Sequence, residues 1–256
     1  MKVAGRQMNT DRLEKEQVFH DSVFEGDDNE GATLGKQYSV NRQVNQCYVD
    51  IVSEHCKGKR LLEYGCGTAR RSKQWLGLGA TYTGIDISPE GIKRARKRTE
   101  NAPYDAHYFV MNAESTEFHN SSFDIVVGTG ILHHLNLSNA YQELSRILEA
   151  DGHAVFVEPL GHNPLINLYR ALTPRARTEN EHPLKVRDLK LLEQYFCHVK
   201  AEYFTLFTLL AVPFTNMFFF HALCGFLRSI DKMVFLLPLA RRYAWITVVH
   251  ASHPRK

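Results

Sequence analysis

None of the five cysteines, Cys47, Cys56, Cys66, Cys197 and Cys224, is paired at CxxC spacing, and their number is odd. This pattern suggests neither a zinc site nor a disulfide framework and fits reduced thiols in a cytosol. The opening residues, MKVAGRQMNTDRLEKEQ, hold no apolar stretch of the kind a secretory leader needs, so a cytoplasmic location is expected. Excess charge is scarce too: 31 Lys and Arg against 28 Asp and Glu leave a net charge of +3. So small an excess argues against a dominant nucleic-acid surface. The one dense basic run, KRARKR from Lys93 to Arg98, reads as the solvated face of a helix. No internal repeat, low-complexity tract or GxxxxGK[ST] phosphate loop is present.

One stretch lacks charge altogether. From Leu206 to Leu227, LFTLLAVPFTNMFFFHALCGFL contains no Asp, Glu, Lys or Arg. Its length would suit a membrane span. Pro213, Asn216 and His221 interrupt it, however, and proline breaks a helix unless a neighbour covers the freed groups.

Apolar residues make up 44% of the 256, enough for a real core. Residues 1–37 are polar and Gly/Asp-rich and read as a loose N-terminal arm. Tyr38 to Cys56 reads as a helix, with Val40, Val44, Tyr48, Ile51 and Val52 near helical spacing. A strand–helix rhythm follows. KRLLEYG, TYTGIDIS, AHYFVMNA, FDIVVGTG and HAVFVEP are strands, and RRSKQWLGLG, PEGIKRARKRTE and NLSNAYQELSRILEADG are helices. The last of these helices is expected to stop at Gly152. Alternation of this kind means a parallel sheet covered on both faces, which binds ligands at the carboxyl ends of its strands. Residues 38–159 form that core. In 160–256, PLKVRDLKLLEQYF reads as an amphipathic helix, and HVKAEYFTLF and AWITVVHAS as strands flanking an apolar insertion, 206–240.

The first strand runs into Glu63-Tyr64-Gly65-Cys66-Gly67-Thr68-Ala69. Glycines there allow a tight turn or the close approach of a ligand. An acid two positions before them would repel a pyrophosphate but suits a cationic amino acid end. A second acid, Asp86 in GIDIS, ends the second strand, where it can accept the hydroxyls of a ribose. An amino acid, a ribose and a compact turn together suggest S-adenosylmethionine.

From Tyr38 to Pro159 the chain resembles the class I S-adenosylmethionine-dependent methyltransferases, in the order of its ExGCGxG-like, GxDxS and LHHL blocks. It departs from them at Ala69, where glycine is frequent, and at Asn112, where aspartate is usual. The resemblance implies a Rossmann-like seven-stranded, mostly parallel α/β sheet with helices on both faces, and the apolar insertion reads as a helical lid near its last strands. It also implies roles for single residues. Glu63, Gly65, Cys66 and Gly67 would line the methionine part of the cofactor, and Asp86 would hold its ribose. Ile87 would pack on adenine, which Asn112, Ala113 and Glu114 would rim. The backbone of Gly128 would face the amino acid end, and Tyr38 and Arg42 would close over its carboxylate. The product would be S-adenosylhomocysteine.

The acceptor is less constrained. Methyl transfer needs a base only where the acceptor must lose a proton. His133 and His134 in ILHHLNL lie just after the fourth strand and are candidates. Glu158, His162, Arg175, Arg177 and His182 follow the fifth strand, where this fold places its substrate lid; Glu158 and His182 are the stronger candidates, with His182 set before a proline that fixes the backbone. The fourth strand ends in GTGI, not the [DN]PP[YFW] block of DNA and glutamine amino methyltransferases. A small molecule, partly apolar or lipid-like, is therefore expected to be methylated, at oxygen ahead of carbon or nitrogen, in small-molecule or natural-product biosynthesis. The insertion, flanked by Arg228, Lys232, Arg241 and Arg242, suits a lid, a peripheral membrane contact or a homodimer interface. A cofactor-binding regulatory or membrane-associated protein without turnover is the rival reading. No metal is expected.

Overall fold

The computed structural model describes residues 2–25, 39–101, 106–173 and 181–256. Seven strands form one sheet: β1 (Arg60–Tyr64), β2 (Thr81–Asp86), β3 (Ala106–Val110), β4 (Phe123–Thr129), β5 (Leu148–Pro159), β6 (Phe196–Phe204) and β7 (Ile246–Pro254). Their order is β3-β2-β1-β4-β5-β7-β6. The first five are parallel, and β7 runs antiparallel to both β5 and β6. The expected Rossmann-like architecture is present.

The helices are α1 (Lys2–Glu25), α2 (Arg42–Cys56), α3 (Ser72–Gly77), α4 (Pro89–Thr99), α5 (Leu137–Ile147), α6 (Pro164–Leu172), α7 (Val186–Leu192), α8 (Phe220–Val234) and α9 (Pro238–Arg241). Strand residues alternate between the two faces. Leu61, Ile125 and Val127 join Val44 and Tyr48 of α2, Trp75 of α3 and Ile92 of α4 in one apolar cluster. Leu62 and Val126 join Tyr141 and Leu144 of α5 and Leu189 of α7 in the other. Helix α4 starts where Ser88 Oγ accepts the Gly91 amide at 2.9 Å, with Pro89 in its first turn. Its basic run is less free than expected: Arg96 and Arg98 reach the carbonyls of Tyr108 and Thr68.

Three boundaries differ from expectation. The helix after His134 stops at Ile147 rather than at Gly152, because Leu148 is buried and already pairs with Phe123 in the sheet. A register shift between Phe123 and Ile125 takes up the extra residues of β5. The helix before β1 starts at Arg42, after a short 3-10 turn over Ser39–Asn41. The expected N-terminal arm contains a 24-residue helix, α1, which packs against α4.

The apolar insertion forms a 3-10 segment, Phe207–Phe214, followed by α8 and α9. Asp231 of α8 accepts the amides of Leu206, Phe207 and Thr208 at 3.1, 2.7 and 3.2 Å, which caps the 3-10 segment. Leu209, Ala211, Phe220, Cys224 and Leu227 pack with Val40 and Val44 beside the sheet. Other apolar residues of the insertion are not covered: Phe218 is 97% exposed, and Phe226, Met233, Leu236, Leu237 and Leu239 are exposed after it. Among the described residues, no helix is long and apolar enough to cross a membrane.

Candidate functional site

The strand order reverses between β1 and β4, and a cavity opens at their carboxyl ends. Its floor is made of the turns that leave the strands: Gly65 and Gly67 after β1, Asp86 and Ile87 after β2, Met111, Asn112 and Ala113 after β3, and Thr129, Gly130 and Ile131 after β4. Its roof is α1, through Leu13, Glu16, His20 and Phe24.

The floor depends on backbone shape. Gly65 and Gly67 have φ of +59° and +50°. A Cβ on Gly65 would stand 2.8 Å from Ile131 Cδ1, so a side chain there has no room. Ala69 sits at φ +51°, a conformation in which its methyl group is strained. The turn is held to β2 by Asp86, whose Oδ2 accepts the Gly67 amide at 2.8 Å and whose Oδ1 accepts the Ser88 amide at 2.9 Å. Burial raises the Asp86 pKa, and these two amides oppose the rise. A carboxylate oxygen accepts more than one hydrogen bond, so Asp86 can also receive ribose hydroxyls.

Glu63 is buried behind the turn, and Tyr82 donates its hydroxyl to Glu63 Oε2 at 2.6 Å. Burial pushes this carboxyl up to about 7, against the Tyr82 hydrogen bond and the Arg71 charge. A buried carboxylate raised this far favours a cationic ligand group beside it. Glycine turn, ribose acid and buried glutamate thus fit the chemistry of S-adenosylmethionine.

The histidine pair divides. His133 is buried, and its Nδ1 lies 2.7 Å from Oε2 of Glu158, which is itself fully buried. Glu158 Oε1 also accepts the amides of Ile131 and Leu132 at 2.9 and 2.8 Å. Glu158 therefore anchors the turn after β4 and orients His133; it is a positioning group rather than the base expected of it. The His133 Nε2 is 3.9 Å from Glu181, which Arg170 also approaches at 4.0 Å. His134 lines the cavity, with Nδ1 3.2 Å from Glu16 of α1.

Several expected positions fall elsewhere. Gly128 is not on the cavity wall: Phe156 and Ile131 fill the space where its Cβ would be, and the next two residues face the cavity instead. Arg42 lies in a separate groove with Phe220 and His221. Glu114 turns away to accept the Asn136 amide at 2.8 Å and to pair with Arg12. Asn112 stays on the wall, although its Oδ1 already accepts the Glu114 amide at 2.9 Å. His182 gives its amide to the His133 carbonyl, but the residue lines an outer groove with Lys185 and Asp188. Cys66 is buried under the turn, and its Sγ is 2.9 Å from where a Gly84 Cβ would stand. The insertion contributes nothing to this cavity and borders its own groove at Asp231, Arg228 and Arg241. Tyr38, Arg175 and Arg177 lie outside the described residues.

Sequence reasoning missed the roof. Leu13, Glu16, His20 and Phe24 recur at three- to four-residue spacing and share one helix face. Their mixed chemistry hides that stripe from a reading based on apolar periodicity.

Residues 62–156 match a family model described as a methyltransferase domain. An uncharacterized protein of Methanocaldococcus jannaschii is 37% identical over 128 residues, covering 48% of this chain and 47% of that protein. A ubiquinone biosynthesis O-methyltransferase of Cereibacter sphaeroides is 28% identical over 136 residues, covering 48% and 55%. The chain spans about half the length of these curated relatives. Among solved structures, Haemonchus contortus phosphoethanolamine N-methyltransferase 2, in complex with phosphomonomethylethanolamine and S-adenosylhomocysteine, superposes with a TM-score of 0.58 at 19% identity. That similarity covers 82% of this chain and 53% of that one, and it concerns the fold.

Proposed function

We propose that this chain, whose residues 62–156 match a methyltransferase-domain model, is a class I S-adenosylmethionine-dependent methyltransferase that methylates a small, partly apolar acceptor at oxygen. The observation that carries this reading is the floor: two left-handed glycines between buried acids at the point where the strand order reverses. When bound, the cofactor supplies a methyl group on a sulfonium, and S-adenosylhomocysteine remains. Asp86 would hold the ribose hydroxyls, and Glu63 would face the ammonium. Ile87, Met111, Asn112 and Ala113 would enclose adenine, and the backbone at Thr129 and Gly130 would meet the amino acid end. Leu13 and Phe24 of α1 would keep water out.

His133 is the base in this reading. Glu158 takes the Nδ1 proton in a hydrogen bond, which leaves Nε2 as the acceptor. His133 Cε1 is 3.6 Å from where a Cβ on Gly130 would stand, so a side chain on this wall residue would cover that edge of the ring. A hydroxyl placed there would give its proton to Nε2.

The apolar character of the acceptor rests on the insertion. It exposes Phe218, Phe226, Met233, Leu236, Leu237 and Leu239, and Lys232, Arg241 and Arg242 are exposed close by in the sequence. An apolar patch with flanking cations suits the surface of an anionic bilayer, from which a lipid-like acceptor would be drawn. Flotation with vesicles rich in anionic lipid tests this: the chain is expected to float, and the double variant Phe218→Ser, Leu237→Ser to remain below. A chain that stays below and elutes as a dimer would assign the patch to self-association instead.

Calorimetric titration with S-adenosylmethionine and S-adenosylhomocysteine tests the cofactor site. Micromolar binding to the wild type, abolished in Asp86→Ala, is expected. No binding by folded protein would overturn the reading. With an acceptor in hand, His133→Ala is expected to lose about 10²–10⁴-fold in turnover while keeping its cofactor affinity.

A further inference from the structure

We infer that Glu16 and His20 of α1, together with His134 in the turn after β4, bind one divalent transition-metal ion, zinc first, which clasps the roof of the cavity to its floor. Glu16 Oε2 lies 3.2 Å from His134 Nδ1 and 3.7 Å from His20 Nε2. The three ligand atoms all fall within 4.8 Å of one another. Ligands of a tetrahedral zinc ion, at bond lengths of about 2.0–2.1 Å, stand roughly 3.3 Å apart, close to both distances measured from Glu16.

The sequence builds half of this site by itself. Glu16 and His20 are four residues apart, so they lie one above the other on the same face of α1. The sheet supplies the third ligand from the opposite wall. The His20 and His134 rings cross at 77°, with centroids 5.2 Å apart, so the two imidazoles are not stacked face to face. Two imidazoles and one carboxylate favour zinc or iron(II) over magnesium or calcium, which prefer oxygen ligands. Three protein ligands leave a fourth position for water.

Electrostatics favour a dication here. Glu16 is buried, and both Asp21 and Asp86 lie close to this end of the cavity. Arg12 on the same helix donates to the His134 carbonyl at 3.2 Å but is paired with Glu114, and a buried carboxylate gains from a divalent partner. A second histidine cluster at the other pole of the sheet lacks these properties. There His55 and His153 stack at 15° with centroids 3.9 Å apart, so their lone pairs run side by side. His153 gives Nδ1 to a 3.0 Å hydrogen bond with His250, and Lys59 and Lys200 add positive charge nearby.

The clasp joins two parts of the chain that residues 26–38 connect, and it does not depend on methyl transfer. Titration of the chelator-treated 256-residue chain with Co²⁺, followed by visible absorption, tests it. One equivalent is expected to give the intense d–d bands of a four-coordinate ion. His20→Ala and His134→Ala should abolish the bands, Glu16→Gln should weaken binding at least tenfold, and His153→Ala should leave it unchanged. Zn²⁺ should raise the melting temperature of the wild type but not of His20→Ala, whose circular dichroism shows whether it is folded. Absence of the bands at one equivalent, or bands that survive His20→Ala and disappear in His153→Ala, would overturn the inference.

Discussion

The two walls of the cavity are made in different ways. The floor is backbone: left-handed glycines, strand ends and amides that fold back onto Asp86. The roof is side chain: four residues of one helix, resting on the floor through Phe24, Asp21 and Arg12. Phe24 lies 3.0 Å from the place of a Cβ on Gly67 and also covers Gly91, while Asp21 takes hydrogen bonds from Ser88 and the Glu90 amide. A floor built this way tolerates almost no change in residue type. A roof built this way can change residue by residue, and so can adapt to a different acceptor.

The largest test of that contrast is Gly65→Val. Its Cβ would clash with Ile131 and its φ would be strained, so a loss of about 3 kcal/mol or more in stability is expected, together with loss of cofactor binding. Chemical denaturation and calorimetry read the two effects. Phe24→Ala should do much less to the fold. We expect cofactor affinity to fall by about tenfold, with most of the change in the dissociation rate, because the floor still binds while the roof closes poorly. A loss of stability as large as that of Gly65→Val would mean that α1 belongs to the core and is not a roof.

Proton uptake sharpens the comparison. The Glu63 carboxyl, pushed up to about 7 by burial, holds a proton in the folded chain that the unfolded chain has already lost above its usual 4.5. Its contribution therefore favours the fold most at low pH and falls away as pH rises from about 4.5 to about 7. A cation bound beside it drives that proton off. Cofactor affinity should be several-fold weaker at pH 6 than at pH 7.5, with proton release at pH 6.5 detectable by calorimetry in buffers of different ionisation enthalpy. Glu63→Gln should remove both effects.

The smallest expected change is Ala69→Gly. Relief of the left-handed strain should add about 1 kcal/mol, a rise of about 2–4 °C in Tm, with cofactor affinity unchanged. A fall in Tm would mean that buried contacts of the Ala69 methyl outweigh the strain.

This contrast also decides what could be read from the sequence. The glycine turn, Asp86 and the order of strands and helices were legible, because the chemistry of a turn is written in its own residues. Gly128 was misplaced by a step: a glycine in a strand end signals close approach, but not whether a ligand or Phe156 makes it. The sequence points to His182 through its rigid position before Pro183, yet it is the preceding residue, Glu181, whose carboxylate approaches His133. Which way a loop side chain points is set by packing across the fold, and local sequence does not encode it. The role of α1 was hidden for the same reason, since a helix that covers a polar cavity need not be apolar on its inner face.

The position of β7 has a consequence for how the chain acquires its shape. Among the described residues, β6 touches the rest of the sheet only through β7, and the apolar insertion lies between the two in sequence. On the ribosome, the first five strands can assemble while β6 and the insertion still have no partner strand. The exposed phenylalanines and leucines of 207–239 then await a pairing that comes last. Such an intermediate is prone to aggregate. Slow synthesis across 205–245, or a shortage of the chaperones that shield apolar segments, should reduce the yield of folded protein well before it affects the stability of molecules already made.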